Sequence, residues 1–413
     1  VKTHNNLVEI TSKIQFPYDF LDEYTEYLTE SQFIDINENI RKKANELLEG
    51  ETDYYAAVFK IAEWVKNNID YDLNTITATA VKRSSWVLEN KQGVCDEITN
   101  LFISLLRSVG VPARFVTGMV YTSSDDKWNN HGWAEVYFPD YGWIPWDVTF
   151  AQFGWIDPTH ITLSETADSG ESSVNYQWRS THFDIVPQGL TLNTNLLEKG
   201  NKLAPLVKLH IRPLEETISF GSYLPISVTI ENMQNYYLSD TIVILKGPKM
   251  EDNVRTVLLK PKEIKSLYWI TKVPDDLDDR YLYTSVLEVG DSFSSSSKGE
   301  VLYSNDGTSL DLERSNALVD ELEQREKKEF LNDVVIKCNF ENKKYYSDEF
   351  IDVICSVRNS GTLSLDDLNI CLDESCVIDS LGIGESKKFD FRTQARENAI
   401  FSVESGQFFR KEA

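Results

Sequence analysis

One cysteine, Cys95, stands in the first 330 residues, inside the stretch "GVCDEITNLFISLLRSVGVPAR". A thiol attacks a carbonyl only as thiolate, and a free cysteine with a pKa of about 8.5 is mostly protonated at neutral pH. Activation calls for a helix N-terminus, a neighbouring imidazole, or both. Apolar residues recur at helical spacing after Cys95, at Ile98, Leu101, Phe102, Leu105 and Leu106, and the run stops at Gly110 with Pro112 beyond. This pattern predicts a helix that begins at or just before the thiol. Its unpaired N–H groups would favour the thiolate, and they could also hold an oxyanion on an attacked carbonyl. Taken alone, Cys95 reads as a small buried side chain that fills space.

The imidazole is the second requirement. Of five histidines, His131 lies in "NNHGWAEVYF", at the start of a strand pattern. His4 is in the N-terminal tail, His210 opens a later β-rich stretch, and His160 and His182 lie in surroundings without a comparable motif. The third requirement is a group that orients the ring and fixes its tautomer. Asp147, in "GWIPWDVTF", follows one strand later, and adjacent antiparallel strands can bring two such side chains together. Cys95 as nucleophile, His131 as general base and acid, and Asp147 as orienter would suit attack on an amide carbonyl.

The elements around these residues predict an α+β domain. "INENIRKKANELLEG" ends on Gly50 in the manner of a C-cap, and "DYYAAVFKIAEWVKNNIDY" carries a second helical periodicity. "ARFVTGMVY", "GWAEVYF" and "GWIPWDVTF" then read as strands, which suits an antiparallel sheet packed on helices. This domain is expected over 1–195, with a core near 40–165, closing after "VNYQWRSTHFDIV". From about 205 the texture becomes all-β. Two similar stretches predict two immunoglobulin-like sandwich domains, at 205–305 and 331–413, with a charged helical linker at 308–330.

The motifs "GVCDEITNLFISLLRSVGVPAR", "HGWAEVYF" and "GWIPWDVT" resemble those of the transglutaminase-like superfamily. "WVKNNIDYD" is similar to the lead-in helix and turn of that family. The resemblance covers roughly residues 40–165 and implies a papain-like core in which Cys95, His131 and Asp147 form a triad. One departure is Val148, where the family commonly has proline after the aspartate. Cross-linking members of the family use an upstream tryptophan at the oxyanion, and Trp86 or Trp64 could correspond to it. Either could equally pack in the core or a groove. Gln92 is a further oxyanion candidate, or a solvated loop residue. Trp133, Trp143 and Trp146 could line a substrate groove or fill the core between sheet and helices.

The formal charge of −25 excludes a nucleic-acid partner, because phosphate binding needs a basic surface. It also speaks against docking on anionic lipid. No apolar run is long enough to span a bilayer, so direct membrane insertion is not expected. The chain opens on Val1, which leaves room for a removed leader or anchor. Cys338, Cys355, Cys371 and Cys376 lack the paired spacing of a structural zinc site and suggest disulfides and an oxidising compartment, extracellular or at the cell surface. The alternative is four free thiols, and the spacing leaves the connectivity open. The acidic loops "SSDDKWNN" and "SNDGTSLDLE" lack a full set of calcium ligands, so neither a metal nor a cofactor is expected. The expected partner is a protein or peptide substrate, or a cell-surface polymer. The reaction would be acyl transfer or hydrolysis at an amide bond through a thioester. The alternative is a non-catalytic surface, assembly or adhesion protein.

Overall fold

Asn37 and Asp53 open the first two helices by side-chain capping. Asn37 accepts the Ile40 N–H at the start of α1 (Glu38–Leu48), and Asp53 accepts the N–H groups of Tyr55 and Ala56 at the start of α2 (Tyr54–Asn68). Gly50 follows α1 with φ +73°, the left-handed conformation that a helix C-terminus favours. The computed structural model describes residues 2–3, 7–18, 20, 22–73, 81–122, 127–170, 197–198, 200, 203–330, 334–340, 349–359, 365–373, 375–381, 386–394, 401–405 and 409–412. They fall into two compact units, Val1–Leu312 and Glu313–Ala413. The segment "VNYQWRSTHFDIV", with His182, lies outside the described residues, as does His4.

A short parallel pair, β1 (Asp70–Tyr71) with β2 (Gln92–Gly93), brackets the helix α3 (Ser84–Asn90), which the periodicity did not reveal. The chain then enters α4 (Cys95–Ser108). Its apolar spacing predicts one buried face, yet every residue from Glu97 to Arg107 is buried. The polar ones are accommodated by hydrogen bonds. Thr99 donates to the Gly132 carbonyl, Ser104 to the Asp35 carbonyl, and Asn100 to Ser169 Oγ. Arg107 donates to the carbonyls of Ala113, Thr29 and Ala167. This helix is the centre of the domain.

Against α4 lies an antiparallel sheet of β3 (Ala113–Thr122), β4 (Lys127–Phe138), β5 (Gly142–Asp147), β6 (Gln152–Phe153) and β7 (His160–Thr166), in the order β6-β5-β4-β3-β7. Its inner face buries Phe115, Ala134, Val136, Phe138 and Trp146 against helix residues such as Tyr54, Val58, Leu101 and Phe102. The N-terminal region is therefore α+β.

The chain beyond it is mostly β. Strands β8 (Val207–Pro213), β9 (Thr217–Ile218), β10 (Tyr223–Asn232), β11 (Leu238–Lys246), β12 (Val254–Leu259), β13 (Ile264–Lys272), β14 (Tyr283–Gly290) and β15 (Ser296–Tyr303) form two sheets. One has the order β13-β10-β8 and the other β12-β11-β14-β15-β9. Specific contacts tie this region to the α+β domain. Tyr237 stacks on Tyr55 and donates its hydroxyl to Asp53 Oδ2 at 2.7 Å, and Trp155 Nε1 donates to the Ser239 carbonyl at 3.1 Å.

Helix α5 (Leu312–Phe330) precedes the last strands, β16 (Val334–Phe340), β17 (Phe350–Asn359), β18 (Leu365–Leu372), β19 (Ser375–Leu381), β20 (Ser386–Gln394), β21 (Phe401–Ser405) and β22 (Phe409–Glu412). These too form two sheets, β16-β17-β20 and β19-β18-β21-β22. Val353, Cys355 and Phe389 from one sheet share a core with Leu368, Ile370 and Val403 from the other. Disulfides join Cys338 to Cys355 and Cys371 to Cys376, each pair standing directly opposite on adjacent strands. Such bonds persist in oxidising, extracytoplasmic compartments. Among the described residues no helix is long and apolar enough to cross a membrane.

Candidate active site

The parallel pairing of β1 with β2 hands the chain to Cys95, the first residue of α4, and Asp72 N–H fixes this approach by donating to the Gly93 carbonyl at 3.0 Å. The residue before the helix is Val94, which has no side-chain acceptor to cap the first turn. Instead Glu97 reaches back: its Oε2 accepts the Val94 N–H at 3.1 Å, and its Oε1 accepts the Lys82 N–H at 2.9 Å. The N–H groups of the first turn therefore carry no side-chain cap and remain suited to an anionic ligand.

Strand β4 approaches this helix start closely. A Cβ on Gly132 would sit 2.3 Å from Phe115 Cζ and 2.7 Å from Asp96 Oδ1, so only glycine fits there. The Gly132 N–H bears on the Cys95 thiol, which itself donates to Asp96 Oδ1 at 3.5 Å. Burial, and then the Asp96 charge, push the thiol up to about 12, outweighing the Gly132 N–H. The helix start alone leads one to expect a depressed thiol pKa; desolvation and the adjacent carboxylate reverse that expectation. Tyr71, about half exposed as a residue, directs its hydroxyl toward the Cys95 thiol and backbone N–H. Burial of the phenol, followed by the charge and hydrogen bonding of Cys95, lifts Tyr71 to about 12.

His131 stands within β4, opposite Gly118 of β3, and Asp147 ends β5. The two meet at 2.7 Å, His131 Nε2 to Asp147 Oδ2, with both side chains buried. Asp147 Oδ1 accepts the N–H groups of Thr149 and Phe150, at 2.8 and 3.0 Å. The Phe150 ring stacks on the imidazole with centroids 4.8 Å apart and shields it from solvent. Burial alone would raise the Asp147 carboxyl, but the charge and hydrogen bond of His131, then those of His160, hold it well below the usual carboxylate range.

His160 is the residue that sequence reasoning passed over. It opens β7, and its Nε2 lies 3.1 Å from the same Asp147 Oδ2. Its Nδ1 lies 3.2 Å from both the carbonyl and Oδ1 of Asp157. Burial works against its charged form, yet the hydrogen bonds to Asp147 and Asp157 prevail and lift His160 to about 9. The one available signal was its place at the start of a further strand, and it came without a motif.

The structure brings His131 and Asp147 together and sets Cys95 beside Gly132, the residue that follows His131. Among the described hydrogen bonds none joins the thiol to the imidazole. Trp133 is fully buried, edge-on to His160 with centroids 5.1 Å apart, and its ring crosses β3 where Gly118 leaves space. Trp146 is also fully buried, among Tyr55, Phe102, Phe138 and Phe153, and lines no groove. Trp86 lies half-buried on α3 with Lys82 over its ring, and Trp64 packs under Lys91 and Lys43. Trp143 packs against Tyr27 and Arg114. Gln92, in β2, is partly buried.

Among the described residues His131, Asp147 and His160 offer donor atoms within 4.8 Å of one another. Each of these atoms is already engaged within the set, since both Nε2 atoms meet Asp147 Oδ2. The group closes on itself as a hydrogen-bond chain.

Comparison with known proteins bears on this region. Residues 41–148 match the model of the transglutaminase-like superfamily. The chain is 30% identical over 171 residues to the uncharacterized protein YebA of Bacillus subtilis, covering 37% of this chain and 22% of that protein. It is 25% identical over 137 residues to the uncharacterized protein ML0607 of Mycobacterium leprae, covering 31% and 47%. The chain thus spans less than half the length of these curated relatives. Similar solved structures include a Cytophaga hutchinsonii protein provisionally described as a cysteine protease, at 21% identity and TM-score 0.31 over 37% of this chain and 49% of that one. Another is the red sea bream transglutaminase, at 11% identity and TM-score 0.22 over 94% of this chain and 73% of that one.

Proposed function

On a chain that carries a transglutaminase-like core, we propose that Cys95, His131 and Asp147 are the catalytic triad of a thiol-dependent amide hydrolase or acyltransferase. The observation that carries this reading is the buried 2.7 Å pair of His131 Nε2 and Asp147 Oδ2, on a strand whose next N–H, that of Gly132, bears on the thiol at a helix start. With Nε2 committed to Asp147, Nδ1 is the imidazole nitrogen that takes the Cys95 proton. The thiolate sulfur then forms a bond to the carbonyl carbon. The developing oxyanion is met by the Cys95 N–H and the Tyr71 hydroxyl. His131 returns the proton to the departing nitrogen as the C–N bond breaks, which leaves a thioester on Cys95. Water or an amine then attacks the thioester carbonyl while His131 takes its proton; the C–S bond breaks and the proton returns to the Cys95 sulfur.

In this reading the N-terminal domain, 1–195, is papain-like, and the two β-regions, 205–305 and 331–413, are immunoglobulin-like spacers. The substrate is a protein, a peptide or a cell-surface polymer, and the setting is extracellular or the cell surface. The disulfides support that setting.

A second reading has one observation in its favour. The resting thiol is protonated and donates to Asp96 rather than to His131, as suits a non-catalytic surface or adhesion protein. Mass spectrometry of the protein incubated with glutamine-containing peptides and a primary amine separates the two. Cleaved or amine-labelled peptide that disappears in Cys95→Ala supports the enzyme; unaltered peptide across a broad set supports the scaffold.

A further inference from the structure

We propose that His160 is a positioning residue, a buried imidazolium that keeps Asp147 ionised and so holds His131 with its proton on Nε2. The proposal rests on the triad reading above and extends it to a residue beyond the matched core of 41–148.

Among the described residues Nε2 of His160 meets the Asp147 carboxylate, at 3.1 Å. Nδ1 meets the Asp157 carbonyl and carboxylate, both at 3.2 Å. All of these are acceptors, so both nitrogens must donate, and a histidine that donates from both carries a positive charge. The outer carboxylate is itself pinned. Asp157 Oδ2 accepts from Gln152 Nε2 at 2.7 Å, and Oδ1 accepts from the Thr159 N–H and hydroxyl.

The charge has a purpose on the inner side. Asp147 is fully buried, and an isolated buried carboxylate takes up a proton instead of staying charged. His131 meets its Oδ2 at 2.7 Å. The imidazolium of His160 adds a second compensating charge and hydrogen bond on that oxygen. Asp147 thereby remains an acceptor, and an acceptor at Nε2 forces the basic lone pair of His131 onto Nδ1, toward the thiol side. The arrangement is walled by the Trp133 ring, edge-on to His160, and by Phe150, with centroids 5.1 and 6.1 Å away.

The titratable groups around the pair come from every neighbouring element. His131 of β4 stands with its ring centroid 5.8 Å from that of His160. Asp157 lies in the turn before β7, and Lys66 of α2 acts on Asp147 from outside. Asp96 of α4 acts on His131. Among the described residues Asp147 and Asp157 are the groups that bond His160, and these two set its protonation.

The test is nitrogen NMR on histidine-labelled protein, which needs no substrate. At pH 7.5 the expected result is one histidine protonated on both ring nitrogens, titrating near pH 9 and absent from the spectrum of His160→Gln. In that variant the His131 signal should lose its fixed Nε2–H tautomer. The acid limb of Cys95 acylation by p-nitrophenyl acetate should move up by about one pH unit, because glutamine donates without charge. Should His160→Gln fail to fold, Asp157→Asn keeps the ring and should lower its titration midpoint by about a unit. A neutral His160 at pH 7.5, or an unmoved acid limb in folded His160→Gln, overturns the proposal. Absence of acylation in the wild type alongside a protonated His160 would instead sink the triad reading and leave the charge assignment standing.

Discussion

Asp96→Asn is the substitution that most sharply probes how the thiol is controlled. The Cys95 thiol stands at about 12, burial being the largest cause and the Asp96 charge the next. At the 3.5 Å separation of Sγ and Asp96 Oδ1, a Coulomb interaction at an effective dielectric of about 20 amounts to about 5 kcal/mol. That would be about 3.5 pK units, more than the whole rise, so the site must be better screened than that. Because burial contributes the larger share, a share of about one unit, or about 1.4 kcal/mol, falls to Asp96. Asparagine keeps the shape and removes the charge. The thiolate fraction at pH 7.5 should rise about tenfold. Intrinsic nucleophilicity falls with pKa at a Brønsted slope of about 0.4–0.5, so iodoacetamide should alkylate Cys95 about three- to fourfold faster. Thiolate absorbance near 240 nm, followed against pH, gives the pKa directly. An unchanged midpoint in a folded Asp96→Asn protein would refute the argument, since it would mean that the carboxylate does not act on the sulfur.

Other consequences can be checked alongside. Tyr71→Phe removes the hydroxyl that faces the Cys95 N–H, and kcat should fall by about 10² with KM little changed, as for loss of one oxyanion donor; equal losses in both would assign Tyr71 to substrate binding. Gly132→Ala should destabilise by about 1–3 kcal/mol in urea titration, the usual cost of overpacking, because its Cβ would meet Phe115 at 2.3 Å; a neutral effect would show that β4 can withdraw from α4. Asp240 is buried beside Asp291; burial raises both carboxyls, and the Asp291 charge raises Asp240 further. A raised folded-state pKa means that the folded chain holds a proton which the unfolded chain releases. The stabilisation is complete below about pH 4 and is lost as pH rises through the folded value. Melting temperature should therefore decline as pH rises above the ordinary carboxylate range, and Asp291→Asn should flatten the slope; a slope unchanged in the variant would refute the pairing.

Much of this site was legible in the sequence because its parts fall on consecutive elements. Cys95 begins a periodic helix, and His131 and Asp147 sit on neighbouring strands whose short connection fixes their pairing. His160 was illegible for the opposite reason. Its contact with Asp147 depends on β7 crossing to the far side of β3, a register that no local pattern encodes. Tyr71 was hidden likewise, since only the parallel pairing of β1 with β2 carries it to the helix start. The tryptophans show a different limit. Trp133 and Trp146 alternate along strands as groove or core residues would, and only packing against Tyr55, Phe102 and His160 distinguishes the cases. The thiol pKa was misjudged because helix polarity is readable from periodicity, whereas burial and the rotamer of Asp96 are not.

The central claim is that Cys95 is a nucleophile served by His131. Acylation by p-nitrophenyl acetate, quenched in acid and located by peptide mass spectrometry, tests it without knowledge of the natural substrate. An acetyl thioester is expected on the Cys95 peptide, absent in Cys95→Ala and formed at least about a hundredfold more slowly in His131→Ala, in keeping with loss of general base catalysis. Acetylation confined to lysines, with the same release of p-nitrophenol in wild type and Cys95→Ala, would contradict it.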